Sequence, residues 1–274
     1  MNFLHMDFFR MRKNKSTYII PIIWLVILIM DIVVYKVMTV MAGTNVLEAT
    51  YGFGGGVFGY ISSFIKMGSN MMLLNAIFIL IFTNSEFSTG FIKNLVGKDD
   101  GRQLMMLSKS AVALFFNLIM LFETCIAGMV LYVVINGSFD VEDNFGKFIA
   151  VFFLQLILNT SFSTLMILVS NLLRNSAASM ITGIVYISFS SIAYTLIDIV
   201  VNKVFYKDEV TISELLMAGG KFNIEDYIVS GNITGIGISS TNSDCIRAAV
   251  VAAVLYAICI LAGTWRLTKT DLSI

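Results

Sequence analysis

SAVALFFNLIMLFETCIAGMVLYVVI, residues Ser110 to Ile135, carries one charge, Glu123, in its whole length. A hydrocarbon core ~30 Å thick takes about 20 apolar residues of helix, so this stretch is long enough to cross one. It lacks the period-two alternation of a membrane barrel strand. A continuous apolar run in lipid must satisfy its own backbone, and a helix does so. The fold therefore reads as helical and membrane-embedded from this stretch alone.

Five further runs extend the reading: Tyr18 to Val40, Met67 to Thr83, Phe148 to Ser170, Ala177 to Val200 and Ile246 to Trp265. Asn70 and Asn75 interrupt the second of them, and Val57 to Ile65 extends it on its outer side. The chain of 274 residues is 57% hydrophobic and 13% charged, which no water-facing surface accommodates. The expectation is an all-α polytopic protein, one transmembrane domain over residues 1–274 with six spans, 18–40, 67–83, 110–135, 148–170, 177–200 and 246–265. The first run is too long for a signal-peptide core and has no small-residue cleavage site before Lys36, so no cleaved leader is expected.

Lysine and arginine set the orientation. Residues 1–17, 84–109, 171–176 and 266–274 share one side and hold eleven Lys and Arg against five Asp and Glu. The opposite side is acidic, with Asp140, Glu142, Asp143, Asp208, Glu209, Glu214, Glu225, Asp226 and Asp244. Both termini are accordingly expected in the cytoplasm. Residues 1–16, MNFLHMDFFRMRKNKS, mix aromatic and basic side chains and read as an interfacial helix on the inner leaflet rather than a disordered basic tail.

On the outer side, Gly43 to Ile65 contains GFGGGVFG. No strand leads into it and no βαβ unit follows, so it reads as a flexible or re-entrant segment, not a nucleotide loop. Residues 201–245 form the largest outer loop, with a short amphipathic helix expected over Ser213 to Met217 and plain loop from Ser230 to Ser243. Asn171 to Ser176 is a tight inner turn. Cys125, Cys245 and Cys259 fit no metal spacing and read as packing residues; no metal site is expected.

The connector Ser85 to Lys109, SEFSTGFIKNLVGKDDGRQLMMLSK, differs from every other loop. Phe91, Leu95 and Val96 fall near one helical face, and a short interfacial helix there fits a groove on a soluble partner, although an ordinary cytoplasmic loop has the same pattern. The order E-F-x-x-G-x-I-K-N-L followed by G-R-x-x-x-x-L-S-K resembles the first cytoplasmic loop of permease subunits of the ABC type-2 exporter family. Glu86, Phe87, Gly90, Ile92, Lys93, Asn94, Leu95, Arg102, Leu107, Ser108 and Lys109 carry the likeness. Phe91 stands where Thr is usual, and Asp99 and Asp100 replace a common Pro-Val pair. The basic N-terminus and the tail WRLTKTDL, Trp265 to Leu272, are also similar to that family.

The resemblance implies an N-terminal elbow helix over 1–16, a coupling helix within 84–109, and no covalent chemistry in this chain. It implies a separate ABC ATPase subunit in two copies, which holds ATP and Mg, and a permease homodimer in a bacterial plasma membrane. Carried over, Glu86, Gly90, Phe91, Ile92, Lys93, Leu95 and Arg102 would couple to the ATPase, with Glu86 and Lys93 as polar anchors. The compact size is similar to that of permeases exporting phenol-soluble modulins or lantibiotic-type bacteriocins.

Asp31, Glu123 and Asp198 lie within or at the ends of runs, and a charge near the bilayer centre costs about 2.5–3.5 kcal/mol on insertion scales. Such residues either face a cavity or pair with another helix, as Asp31 would with Lys36. Tyr186, Ser190, Tyr194 and Asp198 recur every fourth residue on one helical face, as do Gln155, Asn159 and Ser163. These stripes line a translocation path or knit helices together. Ala249, Ala253 and Ala257 read as a close-packing seam. Buried acids favour a cationic or amphipathic peptide as cargo; a drug or lipid cargo, or a stand-alone channel or sensor, are the other readings. An intramembrane enzyme is disfavoured: the single histidine, His5, lies outside the runs, and neither H-E-x-x-H nor G-x-S-x-G occurs. No nucleic-acid partner is expected.

Overall fold

A computed structural model describes residues 3–42, 56–66, 68–88, 101–136, 139, 145–204 and 223–269. Among them the elements are α1 (Phe3–Lys13), α2 (Ser16–Ala42), α3 (Val57–Lys66), α4 (Gly68–Ser88), α5 (Gly101–Asn136), α6 (Phe145–Leu173), α7 (Ser176–Val204), a 3₁₀ turn (Ile224–Tyr227), α8 (Val229–Gly235) and α9 (Asn242–Lys269), with no strand among the described residues. Four helices, α5, α6, α7 and α9, are long and apolar enough to cross a membrane. Two bent pairs raise the number to six if each is one span: α1 with α2, at 59°, and α3 with α4, at 50°. This is the architecture of a multi-pass membrane protein.

The bend between α1 and α2 is built from side chains. Thr17 Oγ1 donates to the Met11 carbonyl at 2.6 Å and the Tyr18 hydroxyl donates to the Arg12 carbonyl at 2.9 Å. Both occupy acceptors that the end of α1 leaves open. Asn14 Oδ1 accepts from the Ser16 N–H at 3.1 Å and caps α2.

Helix α6 is the centre. In its most apolar stretch 78% of the residues are buried, against 6% in α7 and 17% in α9, so α7 and α9 are the outer wall. Helices α4, α5, α7, α8 and α9 all pack on α6. Elsewhere the core is aromatic: Phe78 of α4 stacks on Phe116 of α5 at 3.7 Å, and Phe58 of α3 on Phe148 of α6 at 4.9 Å. Trp24 Nε1 donates to Thr124 Oγ1 at 2.8 Å and ties α2 to α5.

The helices differ from the expected spans in four places. They overrun them, most at α5, which starts at Gly101 rather than Ser110. The residues between, RQLMMLSK, are mostly good helix formers and extend the span by two turns. Ser230 to Ser243 is not plain loop: Val229–Gly235 is helical and α9 begins at Asn242. Gln155 of α6 donates to the Ile233 and Ile236 carbonyls, each at 3.0 Å, so a tertiary contact holds a turn that Gly and Ser alone would not.

The seam of α9 is displaced by one register. Ala248 and Ala252 are fully buried while Ala253 and Ala257 are exposed. Ser161 of α6 donates to the Ala252 carbonyl at 2.9 Å, and a Cβ at Gly263 would lie 2.3 Å from Met106 Cε, so the seam runs through Ala248, Ala252 and Gly263. Lastly, the tight turn is only Arg174 and Asn175. Arg174 has φ 50°, in the left-handed region, and Asn175 Oδ1 caps α7 by accepting from the Ala177 and Ala178 N–H groups at 3.0 and 3.3 Å. The GFGG part of the glycine-rich segment, residues 52–55, and the helix expected over Ser213 to Met217 lie outside the described residues.

Candidate functional site

The connector enters from α4 and leaves into α5, and its two ends are held by one buried ion cluster. Glu86, in the last turn of α4, pairs with Lys109 of α5 at 2.6 Å; their side chains are 1% and 0% exposed. The Lys109 contact is an ion pair rather than a well-directed hydrogen bond. Arg10 of α1 pairs with the other Glu86 oxygen, donates to Ser85 Oγ at 3.0 Å, and lies 5.0 Å from the centre of the Phe82 ring. Asp7, one turn before Arg10, bonds it at 3.1 Å and accepts from Ser108 Oγ at 2.5 Å.

Two acids and two bases thus join three helices. An isolated ion in such a place is strongly penalised, and mutual neutralisation makes the burial tolerable. The cluster ties α1, the end of α4 and the third turn of α5 to one another.

Of the residues the sequence assigned to coupling, Glu86 lies in this cluster and faces Arg10 and Lys109. Gly90, Phe91, Ile92, Lys93 and Leu95 lie outside the described residues, as does the side chain of Arg102. Asp7 and Arg10 were not singled out as site residues, and Ser108 and Lys109 only as part of the family likeness. The available signals were the Asp7–Arg10 spacing of three on one helix and two lone charges, Glu86 and Lys109, at the ends of apolar runs that require partners.

The residues assigned to a cargo path fall into three separate places. Gln155 is fully buried on α6 and holds the α8 carbonyls; Asn159 Nδ2 donates to the Gln155 carbonyl at 2.9 Å. On α7 the Tyr186 and Tyr194 hydroxyls meet each other at 2.9 Å and Ser230 Oγ at 3.4 and 3.1 Å, whereas Ser190 bonds only within its own helix, to the Ile187 carbonyl. Asp198 Oδ1 accepts from the Ile224 N–H at 2.7 Å, and so pins the 3₁₀ turn to α7.

Beside that turn, Arg247 bridges Asp226 at 3.1 Å and Asp244 at 3.2 Å. Burial pushes the Glu225 carboxyl up, and the charges of Asp198 and Asp226 push it further. Glu123 stands apart from all of these, on the face of α5 toward α2. Asp31 is half-buried on α2, and the side chain of Lys36 lies outside the described residues.

Some buried polar groups lack partners. Asn75, fully buried on α4, has neither amide atom hydrogen-bonded. Among the described residues no group of three His, Cys, Asp or Glu is placed to hold a metal ion. Compared with known proteins, the chain matches no family model and no curated protein.

Proposed function

We propose that this chain is the membrane-spanning permease subunit of an ATP-driven exporter of the ABC type-2 kind. In this reading each bent pair is one span, giving six. Helix α1 is an elbow on the inner leaflet, both termini are cytoplasmic, and the protein sits in a bacterial plasma membrane as a permease homodimer. Two copies of a separate ATPase bind ATP and Mg and press on residues 89–100. The cargo is a cationic or amphipathic peptide, moved by alternating access.

One observation carries the reading: the Asp7–Arg10–Glu86–Lys109 cluster joins the helices on both sides of the connector to α1. A segment meant to receive a push needs a stiff footing, because a compliant one absorbs the displacement before it reaches the spans. The resemblance of the connector to the family's first cytoplasmic loop, from Glu86 to Lys109, supports the same reading.

The test is expression of this chain with any ABC ATPase found encoded beside it, followed by mild solubilisation. The two subunits are expected to purify together, and the complex to hydrolyse ATP and export cargo from vesicles. Lys93→Glu should abolish export while leaving membrane insertion intact. If no ATPase accompanies the chain and ATP changes nothing in it, the exporter reading is wrong.

A further inference from the structure

A groove of about 700 Å³ runs between α2 and α5. Leu25 and Ile29 form one wall and Phe115, Phe122 and Ile126 the other; among the described residues Glu123 is its one polar residue. Glu123 Oε2 is shut off from solvent and has no hydrogen-bond partner.

The groove is fixed from behind. Thr124, the next residue and about 100° further round the helix, receives the Trp24 N–H at 2.8 Å, while its own hydroxyl donates to the Met120 carbonyl at 2.8 Å. Helices α2 and α5 are therefore tied at the level of Glu123. The mouth is open on the lipid side: Ile29 is 43% exposed, Phe122 52% and Ile126 62%.

These features define a ligand. The volume lies within the ~300–1,000 Å³ of small-molecule sites. The walls require an apolar body. A carboxylate in apolar surroundings gains most from a single positive charge, and the rings of Phe115 and Phe122 favour the same sign. The openings lie toward the bilayer, so the ligand arrives from lipid rather than from water.

We infer that this groove binds an apolar monocation that enters from the bilayer and sets its charge against Glu123. The inference stands on the groove alone and not on the exporter reading, and its test uses neither ATP nor a partner subunit.

The test places the purified full-length chain in phosphatidylcholine nanodiscs and measures binding of radiolabelled tetraphenylphosphonium, with empty nanodiscs subtracted. Tetraphenylborate, of the same shape and opposite charge, is the control. The expected result is saturable binding of the cation at one site per chain and no saturable binding of the anion. Glu123→Gln should weaken cation binding by about tenfold or more, and Glu123→Asp should retain most of it. Ile126→Trp, which fills the mouth without touching the charge, should also abolish it. Equal binding of both ions, or cation binding indifferent to Glu123→Gln and Ile126→Trp alike, overturns the proposal. So does cross-linking of Ile126→Cys to a second copy with the groove closed to the cation, which would make it a dimer contact.

Discussion

Glu86 Oε2, in the last turn of α4, and Lys109 Nζ, in the third turn of α5, lie 2.6 Å apart with their side chains 1% and 0% exposed. The pair belongs to a neutral set of four charges. That neutrality makes its response to mutation specific.

Lys109→Met alone strands an acid, and Glu86→Gln alone strands a base. Each is expected to cost about 3–5 kcal/mol, the range for a broken buried pair. The double variant leaves Asp7 with Arg10, one acid with one base, and should regain more than half of the loss. Apparent melting temperature in detergent, followed by size exclusion, measures it. A double variant as unstable as the two singles added together would show that the charges do not act as a set.

Gln155 supplies two donors to the end of α8. Gln155→Ala should leave the Ile233 and Ile236 carbonyls unsatisfied at a cost of about 1–3 kcal/mol. Gln155→Glu should do worse, because an ionised carboxylate offers no donor and repels both carbonyls. Thermal melting reports the loss, and limited proteolysis near residues 223–241 should speed up. Unchanged proteolysis in both variants would mean that α8 holds itself.

Ser239 is exposed in the turn between α8 and α9. With Cys245 replaced by Ser, Ser239→Cys should react with a membrane-impermeant maleimide on intact cells. Reaction only after lysis would place this turn in the cytoplasm and reverse the orientation drawn from Lys and Arg.

The raised Glu225 carboxyl gives a pH dependence with a definite sign. The folded chain holds this proton more tightly than the unfolded chain. The associated stability is therefore whole below the ordinary carboxylate range and is lost as pH rises through the raised value. As pH rises above the ordinary carboxylate range, wild type should fall progressively below Glu225→Gln in melting temperature. Parallel curves would remove Glu225 as the source.

Asn75→Leu removes a buried amide with no partner on either atom. It should leave stability unchanged or raise it, since replacing an unsatisfied group by an apolar one of like size carries no hydrogen-bond loss. A fall of about 2 kcal/mol or more would mean that Asn75 has a partner in the assembled membrane protein.

The helices were legible from their runs because lipid leaves a continuous apolar sequence no alternative. Their ends were not, since α5 gains two turns from the helix-forming mixed polar and apolar stretch RQLMMLSK, whose charges at Arg102 and Lys109 end the apolar run. Val229–Gly235 reads as loop in any local accounting; the donors that fold it come from Gln155, about eighty residues earlier in the chain. The α9 seam was placed at Ala249, Ala253 and Ala257 because alanine spacing gives the period and not the phase, and the phase is fixed by Ser161 and Met106. In the ion cluster, Glu86 was visible as a charge at the end of a run. Its ties to Arg10 and Lys109 were not, because pairing across 76 residues in one case and 23 in the other leaves no spacing to read.

The two-residue link at Arg174 and Asn175 also limits how α6 and α7 can separate. A chain reaches at most ~3.6 Å per residue, so Leu173 and Ser176 stay within about 11 Å of each other however the helices swing. The central helix and its outer neighbour are in effect blades on a rivet. A gap between them fans out from that rivet, narrow at Arg174 and widest toward the far tips, where Tyr186, Tyr194 and Asp198 fasten α7 to Ser230 and Ile224 like a clasp. Opening that fan at its tips would break those hydrogen bonds.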